Sequence, residues 1–268
     1  MKLSIITINL NNIDGLNRTI KSVIEQSYTE YEYIIIDGAS TDGSIELIKQ
    51  FSDNITYWKS ESDKGIYNAM NKGIQKATGD YCYFLNSGDT FYNKSVLEEI
   101  MKIPIIGDIV CFDAIVNEGD KNSLVKASVD ISFYMFYTHT ILHQSAFIQR
   151  SLFEKYGLYN EQLRIVSDWE FFIKVLFLYG ATYQSVSIIL SVFDTTGLSS
   201  IPANFLVSKE ERTGVLNKYF LHFLPDYELI KEKSLYNFLK NLRKNRVLSY
   251  FFILNVRIFN KITKILKG

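Results

Sequence analysis

Cysteine and net charge are both scarce in this sequence. Only two cysteines occur, Cys82 and Cys111, and both lie in apolar, strand-like stretches where cysteine usually serves as a small hydrophobic residue. Basic and acidic residues number 29 each, so the formal net charge is zero and no overall positive charge points to nucleic acid. We therefore expect a disulfide-free, cytosolic protein that does not bind nucleic acid.

Long apolar segments and glycine-rich phosphate loops are absent as well. The N-terminal "MKLSIITINL" lacks the features of a secretory signal, and polar residues interrupt the uncharged stretches 131–149 and 175–193, so we predict no membrane-spanning helix. Neither G-x-G-x-x-G nor G-x-x-x-x-G-K-[ST] occurs. If phosphates bind, a divalent cation held by Asp89 is the candidate to neutralise them.

What the sequence does contain is an alternation of strand and helix patterns. Apolar runs typical of parallel strands occur at 3–8, 31–36, 55–60 and 80–85, and helical spacing occurs at 14–26, 45–51 and 65–77. Asp14 is the predicted N-cap of the first helix. This order predicts an open α/β sheet with a ligand site at the carboxyl ends of its strands.

Polar loops follow each of the four predicted strands. They run from Asn9 to Asn12, from Asp37 to Ser44, from Ser60 to Gly65 and from Asn86 to Asp89. The last belongs to "FLNSGD", in which an aromatic strand ends abruptly in an amide, a hydroxyl and a carboxylate. These loops are therefore the first place to look for a binding site.

The polar segments, taken together and in order, resemble the family 2 glycosyltransferases. The similarity lies in "TINLNN", "YEYIIIDGASTDGS", "SESDKGIYNAMNKGIQKATGDYCYFLNSGD", "HQSAFI" and "SDWEFF", and it covers roughly residues 1–200. Members are inverting, metal-dependent enzymes with the GT-A fold. The resemblance implies a GT-A type open, mostly parallel sheet flanked by helices, with a helical C-terminal extension.

By this resemblance, Asp37 contacts the base or ribose of a nucleotide-sugar, with Asn9 and Asn11 nearby. The family often has two adjacent acids here, whereas Gly38 follows Asp37 in this chain. The alternative is that Asp37 is a loop acid that binds backbone amides.

"DKGIYNAMNKG" resembles a subset of bacterial polysaccharide-building members, in which this segment lines the donor pocket. Asp63 and Lys64 would then reach the ribose or the phosphates. The alternative is an ordinary helix start, with Asp63 near the N-cap and a solvated lysine.

"LNSGD" falls where the family places its D-x-D metal motif. The resemblance makes Asp89 the ligand of Mn²⁺ or Mg²⁺, with Asn86 and Ser87 binding sugar or phosphate. The alternative is a β-turn in which Asp89 is a structural acid.

"SDWEFF" matches the second acidic motif of the family, so Asp168 is the implied catalytic base, and Trp169 beside it would contact acceptor or phosphate. The alternative is a capping box formed by Ser167 and Glu170. His143 in "LHQSAF" matches a His-Gln pair of relatives and would bind phosphate, metal or acceptor, although a structural histidine is the alternative.

The segment "FDTTGLSS" (193–200) resembles a flexible loop near the donor site, and its glycine and hydroxyl groups would suit a lid. Residues 1–110 are expected to form the nucleotide-sugar half, 111–202 the acceptor half and 203–268 a helical extension. The predicted activity is inverting transfer of a sugar, expected from a UDP-sugar, to a glycan or lipid-linked glycan in bacterial capsule or O-antigen synthesis. The alternatives are an inactive nucleotide-sugar-binding scaffold and a sugar nucleotidyltransferase.

The C-terminal segment 231–268 carries a charge of +9, balanced by −9 over the rest of the chain. Apolar residues recur beside the basic ones, which predicts two amphipathic helices lying on an anionic membrane surface. The apolar run "VLSYFFILNV" is ten residues, too short to span a bilayer. Packing on the catalytic domain or formation of a homodimer is the alternative.

Overall fold

The computed structural model describes residues 1–117, 121–195 and 203–225. The chain divides into two compact units, Met1–Val215 and Leu216–Gly268. The described part of the second unit contains the end of a helix and a 3₁₀ turn at Leu221–Phe223. Every residue discussed below belongs to the first unit unless stated otherwise.

Strands and helices alternate through the first third of the chain, as the sequence predicts. The elements are β1 (Leu3–Asn9), α1 (Ile13–Ile24), β2 (Tyr31–Asp37), α2 (Ser44–Gln50), β3 (Tyr57–Ser60), α3 (Ile66–Lys76) and β4 (Tyr81–Phe84). The elements that follow are β5 (Thr90–Phe91), α4 (Val96–Met101), β6 (Ile109–Asn117), β7 (Asn122–Val125), α5 (Phe133–Thr138), β8 (Ala146–Gln149), α6 (Arg150–Tyr156), α7 (Ser167–Phe177), β9 (Tyr183–Asp194) and α8 (Asn204–Phe220).

The nine strands of the described residues join one sheet, in the order β3-β2-β1-β4-β8-β6-β9-β5, with β7 added beside β6. The four N-terminal strands pair in parallel. Strand β8 runs antiparallel to both neighbours, and β9 pairs in parallel with β6 across a β-bulge at Asp113. The α/β architecture is confirmed, with the parallel order concentrated in the first half and mixed pairing in the second.

Helix α3 lies close against β1 because position 73 is glycine. A Cβ atom built there would come within 2.5 Å of Cγ2 of Ile6, a fully buried residue of β1. This close approach fixes the helix that begins just after the Ser60–Gly65 loop, and it buries Tyr67 in the first turn of that helix.

The structure corrects two predicted helix caps. Asn12, not Asp14, caps α1, because its side-chain oxygen accepts the N–H of Gly15 at 3.1 Å. The capping box of α7 does not form: Val166 is the N-cap, and the buried Oγ of Ser167 has no partner within the described residues. Asp168 nevertheless lies in the first turn of α7, as expected.

Part of the predicted lid is strand instead. Phe193 and Asp194 are the last two residues of β9, because β9 stays paired with β6 up to the Asn117–Asp194 pair. Thr195 follows in a turn, and residues 196–200 of the predicted lid lie outside the described residues. Cys82 and Cys111 are free and buried, as predicted. In the described ranges, no helix has both the length and the apolar character needed to cross a membrane.

Candidate active site

A cavity of about 980 Å³ opens where β1 and β4 end. Its lining includes most of the residues singled out in the sequence: Asn9, Asp63, Lys64, Asn86, Ser87, Asp89, His143, Asp168 and Trp169. The topology explains the convergence, because the carboxyl ends of parallel neighbours lie at one edge of a sheet. Asn11 and Asp37 do not line this cavity.

Asp37 lies beneath the cavity and is fully buried. One oxygen accepts from Asn9 at 2.8 Å and from the Ser40 hydroxyl at 2.6 Å, and the other accepts from Ser60 at 2.6 Å and the Ser40 amide at 2.9 Å. Burial alone would raise the pKa of Asp37, but these donors hold it below the ordinary value. In this structure Asp37 therefore positions the loops, while its contact with a base or ribose stays a prediction.

Asn11 joins the same two loops from outside. Its N–H donates to the Ser40 hydroxyl at 2.8 Å, and its side-chain oxygen accepts the Thr41 amide at 2.8 Å. It does so with a φ of 49°, a conformation that asparagine tolerates better than most residues. The sequence therefore identified a residue that shapes the site without reaching into the cavity.

Asp63 and Lys64 line the cavity at the start of α3. Asp63 accepts the Gly65 amide at 2.9 Å, as expected of an acid near a helix start. Its other carboxylate oxygen lies 2.6 Å from the place where a Cβ of residue 38 would be. Asp63 thus occupies the space that a side chain at position 38 would need. This explains why position 38 is a glycine.

Asp89 closes the loop after β4 in a β-turn, its N–H donating to the Asn86 carbonyl at 2.9 Å. The carboxyl is 3% exposed and accepts the Asp194 amide at 2.9 Å. Burial raises the pKa of Asp89 to about 7, because few groups compensate its charge. The predicted β-turn is therefore present and Asp89 lines the cavity, while its role as a metal ligand stays a prediction.

Asp168 also lines the cavity, and its side chain is 15% exposed. Oδ1 accepts the Tyr67 hydroxyl at 2.8 Å, and Oδ2 lies 3.1 Å from Nδ1 of His143. Burial acts to raise the pKa of Asp168, but the hydrogen bonds from His143 and from the Tyr67 hydroxyl hold it below its ordinary value. The carboxylate is therefore ionised at neutral pH and able to accept a proton.

A single imidazole connects the two acidic motifs. Nε2 of His143 lies 3.2 Å from the Asn86 side-chain nitrogen, and Nδ1 faces Asp168. Because an amide nitrogen only donates, Nε2 is the acceptor in this arrangement and Nδ1 carries the proton. The loop that ends in Asp89 and the first turn of α7, which carries Asp168, therefore share one cavity wall.

The profile described as Glycosyl transferase family 2 matches residues 4–157 of this chain. The chain belongs to glycosyltransferase family 2. It is 32% identical over 214 residues to an uncharacterized glycosyltransferase of Mycobacterium tuberculosis, covering 74% of this chain and 77% of the relative. It is 28% identical over 215 residues to a PGL/p-HBAD biosynthesis glycosyltransferase of Mycobacterium bovis, covering 77% and 81%.

Solved structures confirm the GT-A fold expected of a family 2 glycosyltransferase. The S. aureus TarS fragment 1–349 in complex with UDP superposes with a TM-score of 0.59 at 18% identity, over 72% of this chain and 60% of that one. The mannosyltransferase PcManGT from Pyrobaculum calidifontis in complex with GDP-Man and Mn²⁺ gives 0.56 at 17% identity, over 74% and 58%. The match thus covers less than two thirds of either solved chain.

A divalent cation fits the donor atoms around Asp89. The buried side-chain oxygen of Asn86 has no hydrogen-bond partner among the described residues, and the Asp89 carboxyl is poorly compensated. Within the described ranges, no three His, Cys, Asp or Glu side chains form a ligand set. A cation here would depend on Asp89 with water and diphosphate oxygens, an arrangement that suits Mg²⁺ or Mn²⁺.

Trp169 is almost fully buried at the edge of the cavity. The residue is 1% exposed, and its indole N–H donates to the Phe136 carbonyl at 2.9 Å. The guanidinium carbon of Arg212 lies 4.9 Å from the centre of its ring. Arg212 lines the cavity and covers this ring, so a direct contact between Trp169 and an acceptor stays a prediction.

Sequence reasoning missed three functional neighbours: Tyr67, Glu211 and Arg212. Tyr67 has the helical spacing of an ordinary core aromatic, and the other two read as surface charges of α8. Glu211 accepts the backbone N–H groups of Arg164, Ile165 and Val166 at 2.6, 2.9 and 3.2 Å. Helix α8 therefore holds the loop that precedes the Asp168 helix.

We expect Glu211→Ala to destabilise the first unit by about 2 kcal/mol, because three backbone donors lose a charged acceptor. The measurement is urea unfolding followed by circular dichroism. Glu210→Ala is the matched control, because this neighbouring side chain is exposed and should change stability by less than about 0.5 kcal/mol. Equal unfolding midpoints for the two variants would show that the Glu211 cap contributes nothing.

Proposed function

We propose that this family 2 glycosyltransferase is a metal-dependent inverting enzyme that moves a sugar from a nucleoside diphosphate sugar to an acceptor hydroxyl. The observation that carries the proposal is the shared cavity wall. Asn86 and Asp168 meet the two nitrogens of His143, so the Asp89 loop and an ionised carboxylate face the same cavity. In this proposal the Asp89 loop supplies the cation site and Asp168 supplies the base.

The donor would lie along the carboxyl ends of β1, β3 and β4. Asn9 and Ser87 line this region and are joined by a 2.7 Å hydrogen bond, while Lys64 offers positive charge to a diphosphate. Asp63 fills the space beside Gly38 and lines the cavity, so we propose that it reaches the ribose of the donor. The UDP complex of TarS and the GDP-Man complex of the mannosyltransferase support a nucleoside diphosphate sugar as the donor, and we propose a UDP-sugar.

Asp89 would hold the cation, and the unpartnered oxygen of Asn86 lies in the same turn. Mn²⁺ or Mg²⁺ held by Asp89 would supply positive charge to the diphosphate. The Mn²⁺ in the mannosyltransferase complex supports a divalent cation as the cofactor, and the choice of Asp89 as its ligand is our proposal. Ser87 and Asn86 remain available to bind sugar or phosphate oxygens.

Asp168 would act as the general base of a single displacement. The acceptor hydroxyl gives its proton to Asp168 while its oxygen forms a bond to the anomeric carbon. The bond from that carbon to the diphosphate oxygen breaks, and its electron pair leaves with the nucleoside diphosphate. Attack from the face opposite the leaving group inverts the anomeric configuration.

A panel of nucleotide-sugars tests the donor proposal. In thermal-shift measurements with Mn²⁺, one donor should raise the melting temperature in a concentration-dependent way, because a ligand that binds only the folded state stabilises it. Release of nucleoside diphosphate must then accompany transfer. Binding without any turnover would identify an inactive scaffold, and release of pyrophosphate from sugar phosphate and nucleoside triphosphate would identify a nucleotidyltransferase.

For the acceptor we propose a glycan or glycolipid at a membrane surface. The PGL/p-HBAD biosynthesis relative supports this class by its name alone. The basic segment 231–268 lies outside the described residues, so its two amphipathic helices stay a sequence prediction. On that prediction the segment attracts anionic lipid, with each basic residue contributing at most about 1 kcal/mol.

Sedimentation with lipid vesicles tests this association. We expect the full chain to pellet with anionic vesicles and to be released by salt, and to stay in solution with neutral vesicles. A chain that ends at Pro225 should stay in solution with both, with circular dichroism confirming that it is folded. If the full and shortened chains behave alike, the membrane proposal is wrong and packing or dimerisation of the segment takes its place.

A further inference from the structure

The hydroxyl of Tyr67 lies between two hydrogen-bond acceptors. Its oxygen is 2.8 Å from Oδ1 of Asp168 and 2.7 Å from the carbonyl oxygen of Ile165. The residue is 4% exposed, and its ring packs on that of Tyr159 with 5.6 Å between centroids. A phenol has one proton, so it cannot make a full hydrogen bond to both acceptors at once.

The two protonation states of Asp168 use this hydroxyl differently. When Asp168 is ionised, the proton of Tyr67 is drawn to the charged Oδ1, because hydrogen bonds to charged groups are the stronger ones. When Oδ1 is protonated, it donates to the Tyr67 oxygen, and Tyr67 donates to the Ile165 carbonyl. The second arrangement satisfies all three groups in one chain.

The other oxygen of Asp168, Oδ2, faces a hydrogen-bond donor instead of a hydroxyl that can both donate and accept. Oδ2 faces Nδ1 of His143, which carries a proton because Nε2 accepts from Asn86. A proton on Oδ2 that points toward Nδ1 would set two donors against each other. Oδ1 is therefore the oxygen on which a newly acquired proton finds an acceptor.

We propose that Tyr67 is a positioning residue that reverses its hydrogen bond when Asp168 takes a proton, so that Oδ1 carries that proton during transfer. This inference rests on the proposed function, in which Asp168 is the base. The proton comes from the acceptor hydroxyl, and the electron pair of the broken anomeric bond leaves with the nucleoside diphosphate. Tyr67 itself gains and loses no proton overall.

The groups around Asp168 agree with this role. Those that face it are His143, Tyr67, Tyr159 and Arg212, from four different segments. Burial holds the pKa of Tyr67 well above its ordinary value, with a further contribution from the nearby Asp168 charge, so the phenol stays protonated. Tyr67 can therefore donate in either state of its partner.

The test compares Tyr67→Phe with Tyr159→Phe. Both remove one buried hydroxyl from the same aromatic cluster, but the Tyr159 hydroxyl has no hydrogen-bond partner among the described residues. We expect Tyr67→Phe to lower kcat by about 10-fold to 100-fold, the range for losing a hydrogen bond to a charged group, and to leave donor affinity unchanged. The acidic limb of its kcat profile should move to higher pH, because the lost donor favoured ionised Asp168.

A second measurement needs no donor. Carboxyl ¹³C NMR of Asp-labelled protein, with Asp168→Asn assigning the signal, should show a higher Asp168 pKa in Tyr67→Phe and an unchanged one in Tyr159→Phe. An unchanged Asp168 titration and pH profile in Tyr67→Phe would overturn the proposal, and so would equal changes in both variants. If the unaltered chain transfers no sugar, the proposed function fails, but the NMR comparison still decides the role of Tyr67.

Discussion

Asp168→Asn should lower kcat by about 10² to 10⁴-fold, the effect typical of removing a general base, and leave the affinity for the nucleotide-sugar nearly unchanged. The amide keeps the size of the carboxylate in the first turn of α7 but cannot take the acceptor proton. Donor affinity should persist because the proposed donor contacts come from the loops after β1, β3 and β4. Steady-state kinetics with calorimetry of donor binding separates the two effects.

Glu170→Gln is the matched control for that variant. Glu170 lies two residues further along α7, is 3% exposed and does not line the cavity. It should keep kcat within a few-fold of the unaltered chain if the protein stays folded. A normal kcat in Asp168→Asn would leave Asp168 as only an acid at a helix start.

The second large effect is expected from Asp89→Asn, which should abolish Mn²⁺-dependent binding of UDP. The change removes the proposed metal-binding charge and keeps the oxygen that accepts the Asp194 amide.

The Asp89→Asn variant should also melt at a higher temperature than the unaltered chain at pH 8 without metal. The sign follows from the raised pKa of about 7: ionisation of this buried carboxyl costs stability as pH rises.

Asp113→Asn is the control, because Asp113 is also buried but lies away from the cavity. Calorimetry should show unchanged UDP affinity in that variant. Retained Mn²⁺-dependent affinity in Asp89→Asn would reject the metal assignment. Loss of binding in both variants would point to general damage rather than to a cation site.

The sequence predicts the first half of the fold well because the signals there are local. The strand at 3–8 is continuously apolar, since both faces of β1 are covered, and helix α3 follows a loop rich in turn-forming residues. Parallel pairing of strands joined by helices then follows from chain connectivity. Most of the strand ends that carry the site lie in this region.

The second half depends on pairings between distant segments, which no local pattern reveals. Strand β8 inserts between β4 and β6 in antiparallel orientation, and β9 extends through Asp194 because its neighbour β6 continues alongside it. The segment at 193–200 has the composition of a loop, so its strand residues were beyond a local prediction. The caps were missed for a similar reason, since Asn12 and Asp14 are both good N-cap residues.

In the candidate site, too, local sequence patterns do not reveal which distant side chains come into contact. Motif matching places Asp89 and Asp168, but it says nothing about which groups set their ionisation. Tyr67 reaches Asp168 across 101 positions of sequence, and Asp63 fills the space beside Gly38 through folding of two separate loops. Such contacts depend on tertiary geometry, so residue type and spacing alone do not predict them.

The most direct test of the central claim is proton NMR of the product formed from a single nucleotide-sugar and its acceptor in the presence of Mn²⁺. The anomeric coupling constant of the transferred sugar reports its configuration. A base at Asp168 and one displacement predict the configuration opposite to that of the donor. A product that retains the donor configuration would contradict the mechanism, and so would transfer that continues unchanged in Asp168→Asn.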